Sequence, residues 1–302
     1  MTEAKAKKKI IPICGNTFCV KTPMALLPFY LLDEHTAVLM DAGLAQDDSL
    51  GDLFELLNIR VSAVLLSHMH FDHIGGVPSL RQHFGATVYA PAPANSVCIP
   101  MHESVELDRC APEVQQFNRS YQIQPDVIIP ESSTSVAVDG VSFEVIRCPG
   151  HTADHTAYVT PDDVCYLGDL LISESYLPMM NLLHIEDHAQ SAHSKQKLAG
   201  RHFTYCIAAH KGYFPGEQYD ETVRQNERKL AETRDQIRLL LQEPKSESEL
   251  AAALVSKIGL AFQSEVDRHT SICSIRAFLT DMLRRNEIEM ETQDGLTRYK
   301  AI

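Results

Sequence analysis

Four side chains able to bind metal stand within six residues of one another: His68, His70, Asp72 and His73, in the run His68-Met69-His70-Phe71-Asp72-His73. His68 and His70 lie two apart at the end of an apolar stretch, residues 61–67. In an extended chain that spacing sends both imidazoles to one face. Asp72 and His73 follow where the chain leaves the strand, so they can face a second point beside the first. Imidazoles crowded in this way cannot all find neutral partners cheaply, whereas a metal ion serves them together. Three more candidates, His151, Asp169 and His210, each follow an apolar or extended segment and stand close to a glycine. Ligands at strand ends converge on one rim of a sheet sandwich. Imidazole nitrogen and carboxylate oxygen without thiolate suit zinc, with iron or manganese as alternatives.

The elements that must position these residues follow from hydrophobic periodicity. Residues 10–14, 27–32 and 36–40 read as strands, and the last of these ends at Asp41-Ala42-Gly43. Residues 48–57 and 77–84 have helical spacing, residues 61–67 form a wholly apolar strand, and residues 87–90 form the next strand. The segment 91–130 is irregular and proline-containing, with a helix around 113–118, and it lies where a substrate-covering insertion would lie. A hairpin is predicted over 135–139 and 142–147, turning on Asp139-Gly140. Strands at 155–160, 163–167 and 205–209 and a helix at 189–200 complete this part. The tail changes character. Helices are predicted over 217–242, 246–258 and 271–286, followed by strands 287–291 and 296–301 around Asp294-Gly295. That order suggests a winged-helix-like module, so the chain divides into residues 1–216 and residues 217–302.

The motifs HMHFDH, PGHTADH, YLGDLL and AAHKG, in this order and at these separations, closely resemble those of the metallo-β-lactamase superfamily across residues 10–215. The resemblance implies an α/β fold, a four-layer αββα sandwich with its site on the rim between two sheets. It also implies two adjacent metal ions. His68, His70 and His151 would hold one, Asp72, His73 and His210 the other, and Asp169 would bridge them. Asp41 matches the family's aspartate that orients a ligand from behind. Asp72 would have a catalytic role beyond ligation, orienting the nucleophile or passing its proton. Such a pair holds a hydroxide and lowers the pKa of its water towards about 7. Two residues depart from the family pattern. Asp154 and Lys211 stand where glycine is often found, both on the substrate side, where they are expected to alter specificity. His155 reads as a supporting residue. His184, His188 and His193 read by default as solvated, and Tyr176, Met179 and Met180 fall on a substrate-side loop. The intact ligand set argues against the flavin-linked branch, which resembles a pattern with glutamate at the position of His70.

Three functions follow as expectations. The first is a thioester or ester hydrolase similar to glyoxalase II, with a lactonase as a near variant. The second is an endoribonuclease or phosphodiesterase similar to the branch with a C-terminal winged helix. The third is a metal-binding scaffold without activity. A net charge of −13 disfavours nucleic acid as partner, and residues 246–302 carry nine acidic and seven basic residues. A small-molecule substrate is expected, with the tail capping the site or joining two copies in a homodimer. No run of apolar residues is long enough to span a membrane. The N-terminus lacks a signal-peptide core, which points to a cytoplasmic protein and away from secreted β-lactamases. Eight cysteines without a CxxC pair read as reduced thiols.

Overall fold

The computed structural model describes residues 9–44, 49–93, 97–259, 262–293 and 295–302. Asp48 and Asp294, which open the expected first helix and the expected last turn, lie outside the described residues. A first sheet has seven strands, adjacent in chain order: β1 (Ile10–Cys14), β2 (Thr17–Lys21), β3 (Leu26–Asp33), β4 (Thr36–Met40), β5 (Arg60–Leu65), β6 (Thr87–Pro91) and β7 (Val127–Ile129). Strands β1 to β4 pair antiparallel, and β4 to β7 pair parallel. The parallel half needs crossovers. Helices α1 (Ser49–Leu56), α2 (Phe71–Ile74), α3 (Val77–Phe84) and α4 (Pro112–Ser120) lie within them. Strand β5 sits inside this half, covered on both faces, which is why it carries no polar alternation.

The second sheet contains β8 (Ser135–Val138), β9 (Val141–Arg147), β10 (Thr156–Val159), β11 (Val164–Tyr166), β12 (Tyr205–Ala208) and β13 (Gly212–Pro215). It is antiparallel except for β11 with β12, joined by a crossover that holds α5 (His188–Leu198). The expected hairpin is present, with Val138 opposite Val141 across Asp139-Gly140. Between the sheets lie Tyr30, Leu65, Phe143, Tyr158 and Tyr166. Leu50, Phe54, Val77 and Leu80 cover the outer face of the first sheet. Leu198, Phe203 and Tyr219 cover that of the second. The layers are thus the expected αββα.

Helices α6 (Tyr219–Leu240), α7 (Glu247–Ile258) and α8 (Glu265–Arg284) precede the hairpin β14 (Ile288–Gln293) and β15 (Leu296–Ala301). Their core is shared with the segment after Asp169. Ile172, Leu183 and Ile185 pack with Leu230, Ile237, Leu254 and Phe278. Among the described residues no helix is long and apolar enough to cross a membrane.

Three short strands, β2, β7 and β13, were not foreseen. Strand β13 contains Gly212 and Pro215, which local preference counts against; its register against β12, with Ile207 opposite Tyr213, supplies what propensity lacks. Helix α8 begins at Glu265 rather than residue 271. Its first turns lack an apolar stripe, and the start is set by a cap, the Ser264 hydroxyl accepting from the Asp267 N–H at 3.1 Å.

Phe278 is fully buried in the core where α8 meets the segment after Asp169. Phe278→Ala is therefore expected to cost about 3–5 kcal/mol in urea unfolding. A loss below about 1 kcal/mol would show that this junction is loosely packed.

Candidate metal centre

Strand β4 ends at Asp41, whose φ of 59° is left-handed, a region aspartate tolerates better than most residues. Its carboxylate is fully buried and accepts four hydrogen bonds. The donors are the Ser67 N–H (2.6 Å), the Ser67 hydroxyl (2.6 Å), His73 Nδ1 (2.7 Å) and the Tyr166 hydroxyl (2.5 Å). A carboxylate only accepts, so each partner's proton is committed. With its proton on Asp41, the Ser67 oxygen can only accept from His68 Nδ1, at 3.0 Å. His151 Nδ1 donates to the peptide oxygen of His184 at 2.9 Å. In the neutral rings these bonds keep the proton on Nδ1, so Nε2 of His68, His73 and His151 is the nitrogen that can bind a metal.

Those nitrogens face one another. His68 Nε2 lies 2.9 Å and His151 Nε2 3.0 Å from His70 Nδ1. A proton on His70 would serve one neighbour and leave the other facing a nitrogen, whereas a cation in the middle serves all three. Beside this triangle, Asp169 Oδ2 lies 3.1 Å from His210 Nε2 and 3.5 Å from His151 Nε2, and its Oδ1 lies 3.4 Å from His73 Nε2. Asp72 Oδ2 is 3.8 Å from His73 Nε2 and 3.6 Å from His210 Nε2. The seven expected ligands are thus brought together as a triad of imidazoles, a second group of Asp72, His73 and His210, and Asp169 in reach of both. His73 Nε2 and Asp169 Oδ1 are buried with no hydrogen-bond partner among the described residues. The donors are nitrogen and oxygen only, which fits zinc, iron or manganese.

The electrostatics favour positive charge here. Burial works against an imidazolium at His73, but the carboxylates of Asp169, Asp72 and Asp41 outweigh it and raise its pKa well above normal. Burial likewise works against His210, and Asp169 and Asp72 push it up to about 9. Burial favours a neutral Asp169, yet His210 and His73 hold it well below the usual range. At His68 burial dominates and lowers the pKa, the neighbouring histidines adding to it. Burial likewise lowers His70 and His151, so the imidazole triad stays neutral while the carboxylate side holds positive charge.

Asp169 is aimed by its neighbours. Gly168 has φ 52°, and a Cβ there would come within 2.8 Å of His155 Nε2. The Asp169 N–H donates to that nitrogen at 3.0 Å, giving His155 the supporting role expected of it. Burial pushes His155 down to about 3, so it stays a neutral acceptor.

The solvated reading holds for His193 but not for His184 or His188. His193 is exposed and His188 is buried. His184 faces the centre, its ring 5.7 Å from that of His70 and 5.4 Å from that of His151. Its Nδ1 pairs at 2.9 Å with Ser274 of α8, 90 residues away, so no local pattern marks it. The tail thus reaches the site. Tyr176 stacks on His210 at 5.8 Å, and Lys211 Nζ stands 5.4 Å from the Tyr176 ring. Lys211 keeps the left-handed φ, 54°, that a glycine there would adopt without strain. A cavity of about 250 Å³ opens on Asp72, Asp169 and His210, lined also by Tyr176 and Met180. Met179 is exposed.

Residues 28–210 match the family model described as the metallo-beta-lactamase superfamily. A hydroxyacylglutathione hydrolase of Haemophilus influenzae is 26% identical over 140 residues, covering 46% of this chain and 63% of that protein. One from Albidiferax ferrireducens is 31% identical over 145 residues, covering 47% and 46%. The chain spans about half the length of the curated relatives it matches. A metallo-beta-lactamase family protein of Thermus thermophilus superposes with TM-score 0.70 at 17% identity over 97% of each chain. A beta-lactamase domain protein of Burkholderia ambifaria gives 0.72 at 15%, over 97% of this chain and 94% of that one. At these identities the two structures speak for the fold, tail included.

Asp41→Asn would turn an acceptor ringed by four donors into a partial donor. Metal affinity is expected to fall about 10- to 100-fold, read by elemental analysis after dialysis against a graded chelator. Unchanged retention would contradict the orienting role.

Proposed function

The chain belongs to the metallo-beta-lactamase superfamily, and from that membership we propose that it is a hydrolase with two adjacent divalent-metal positions, cleaving a small-molecule thioester or ester. The convergence of three bare imidazole nitrogens beside a second group that shares Asp169 carries this reading. His68, His70 and His151 would hold one metal, Asp72, His73 and His210 the other, and Asp169 both. Zinc is the first choice, with iron or manganese compatible with the same donors. When bound, the pair activates water and polarises the substrate's oxygen.

The rest is done by the chain itself. Asp41 and His155 hold His73 and Asp169 in place. Asp72, part-exposed and on the wall of the 250 Å³ cavity, is positioned to orient the attacking water or take its proton. Relatives named hydroxyacylglutathione hydrolase support a thioester. A lactone remains a near variant, because the donor set treats cyclic and open esters alike.

We read the partner as a small molecule rather than nucleic acid. A nucleic-acid module needs free cations on its presented helix. In the tail, Arg276 pairs with Glu247 at 2.7 Å, Arg285 with Asp281 at 2.8 Å, Arg268 with Glu265 at 2.7 Å, and Arg284 lies 3.5 Å from Asp187. Helix α8 faces the catalytic layers, through α4 and α5. In this reading residues 217–302 wall the substrate cleft.

His73→Ala and Asp169→Ala are each expected to bring hydrolysis to background while the circular dichroism spectrum stays that of a folded chain; full activity in either would contradict the assignment. A panel of thioesters, lactones, phosphodiesters and short RNA, run with the metal quantified, tests the substrate class. Cleavage of RNA alone would overturn it.

A further inference from the structure

A second cavity of about 430 Å³ opens on the other side of His70, between α8, the start of α5 and the turn carrying Asp154. Its wall is unusually rich in carboxyl groups. Asp154 is 1% exposed; its Oδ1 accepts from the Thr152 hydroxyl at 2.6 Å, and its buried Oδ2 has no partner among the described residues. The nearest guanidinium makes no hydrogen bond to it: Arg147 donates to the peptide oxygens of Ala153 and Asp154 and to the Thr156 hydroxyl, and acts on the carboxylate only through space. Glu186 lines the same wall, its Oε1 only 3.5 Å from the Met101 N–H. At the rim stand Glu103 and Asp187.

The opposing charges are few. Arg284 is the one lysine or arginine among the described lining residues. It is drawn towards Asp187 (3.5 Å) and Glu103 (3.9 Å), whose two charges exceed its one. Asp281, also on the wall, is already held by Arg234 at 3.0 Å and Arg285 at 2.8 Å, outside the cavity. The histidines add no positive charge. His102 Nδ1 accepts from the Ser104 N–H at 3.2 Å, which leaves Nε2 to donate to Thr280. Burial holds His188 down to about 4, and its buried Nε2 has no partner among the described residues. A carboxylate buried without an ion-pair partner is costly unless a cation joins it. Burial accordingly raises Asp154 to about 6.

We propose that this cavity receives a cationic ammonium group of the substrate, with Asp154 as its buried counterion and Glu103 and Asp187 steering its entry. This rests on the hydrolase reading above and deepens it. The substrate carries positive charge away from the bond that is cleaved, and carriers bearing several carboxylates or phosphates are poor fits. Asp154, which replaces the glycine frequent in the family, becomes a specificity residue: with glycine there, the cavity would lack its buried counterion.

The test uses the metal-loaded full chain and acetyl thioesters of thiocholine (cationic), N-acetylcysteamine (neutral) and 3-mercaptopropionate (anionic), with a parallel series charged on the acyl side. In at least one series kcat/KM is expected to be about tenfold higher for the cation than for the anion. Asp154→Asn should lower the cation-to-neutral ratio about tenfold, acting through KM, and Arg284→Gln should raise it. Equal or anion-favouring ratios in both series, or ratios that neither variant moves, would overturn the inference. Thermal unfolding gives a readout independent of turnover. Choline should raise the Tm of the wild-type chain more than its uncharged isostere 3,3-dimethylbutanol does, and Asp154→Asn should remove that difference. Protection by choline with no thioester cleaved would sink the thioester reading and leave the cation site standing. Equal protection by both compounds would sink the cation site.

Discussion

A carboxylate taken wholly out of water must be met by donors, and Asp41 is met by four. The donors come from three places: the end of β5, the short helix α2 and the strand β11 of the opposite sheet. One ionised group therefore ties both sheets to the histidine run. Its influence passes outward through proton bookkeeping, since a proton given to Asp41 by Ser67 or His73 decides which nitrogen of His68 or His73 is left bare. The left-handed turn at Asp41 places the carboxylate at the rim, where the two sheets come within hydrogen-bonding reach. There the Thr156 N–H donates to the Ser67 oxygen at 2.9 Å and the Tyr158 hydroxyl to the Leu66 oxygen at 2.8 Å.

The same arrangement explains why so many imidazoles are tolerated in a buried place. Each ligand histidine whose second nitrogen is anchored finds its acceptor in a structural element: His68 in Ser67, His73 in Asp41 and His151 in a peptide oxygen. The inward nitrogens of His68, His70 and His151 face one another, a cost that a cation among them would relieve. The carboxylates of Asp72 and Asp169 then set the sign of the field, holding His73 and His210 towards positive charge. Three of the ligand imidazoles are thus satisfied outward, while His70 Nε2 and His210 Nδ1 have no hydrogen-bond partner among the described residues.

The tail belongs to this account because it completes the walls. Ser274 and Thr270 of α8 lie beside His184 and the cavity on the Asp72 side. Ala277, Thr280 and Arg284, one to three turns further along, line the cavity on the other side of His70. One helix thus serves two chambers that meet at a single imidazole. The buried Asp154 makes the second chamber acidic, against the positive charge that the proposed metal pair would bring to the first.

Much of this was legible in the residues alone. Periodicity placed β4, α3 and most of the long helices within a residue or two, and the density of ligand-type side chains in His68 to His73 marked the centre. Spacing within a strand is a local property, so it survives without knowledge of the fold. The weak strands β2, β7 and β13 were not legible, because they exist through pairing with neighbours rather than through their own preferences. His184 and His188 looked like surface residues for the same reason: their burial is conferred by Ser274 and Phe278, far along the chain. Asp154 could be recognised as a departure from a family pattern. Its lack of an ion-pair partner emerged only once Arg147 was seen to spend its hydrogen bonds elsewhere. The sequence by itself determined which residue types could hold metal and in what order they meet the chain. Only the tertiary structure decided which nitrogens are bare, which carboxylates are compensated and what the tail covers, because hydrogen-bond satisfaction depends on partners brought together in space.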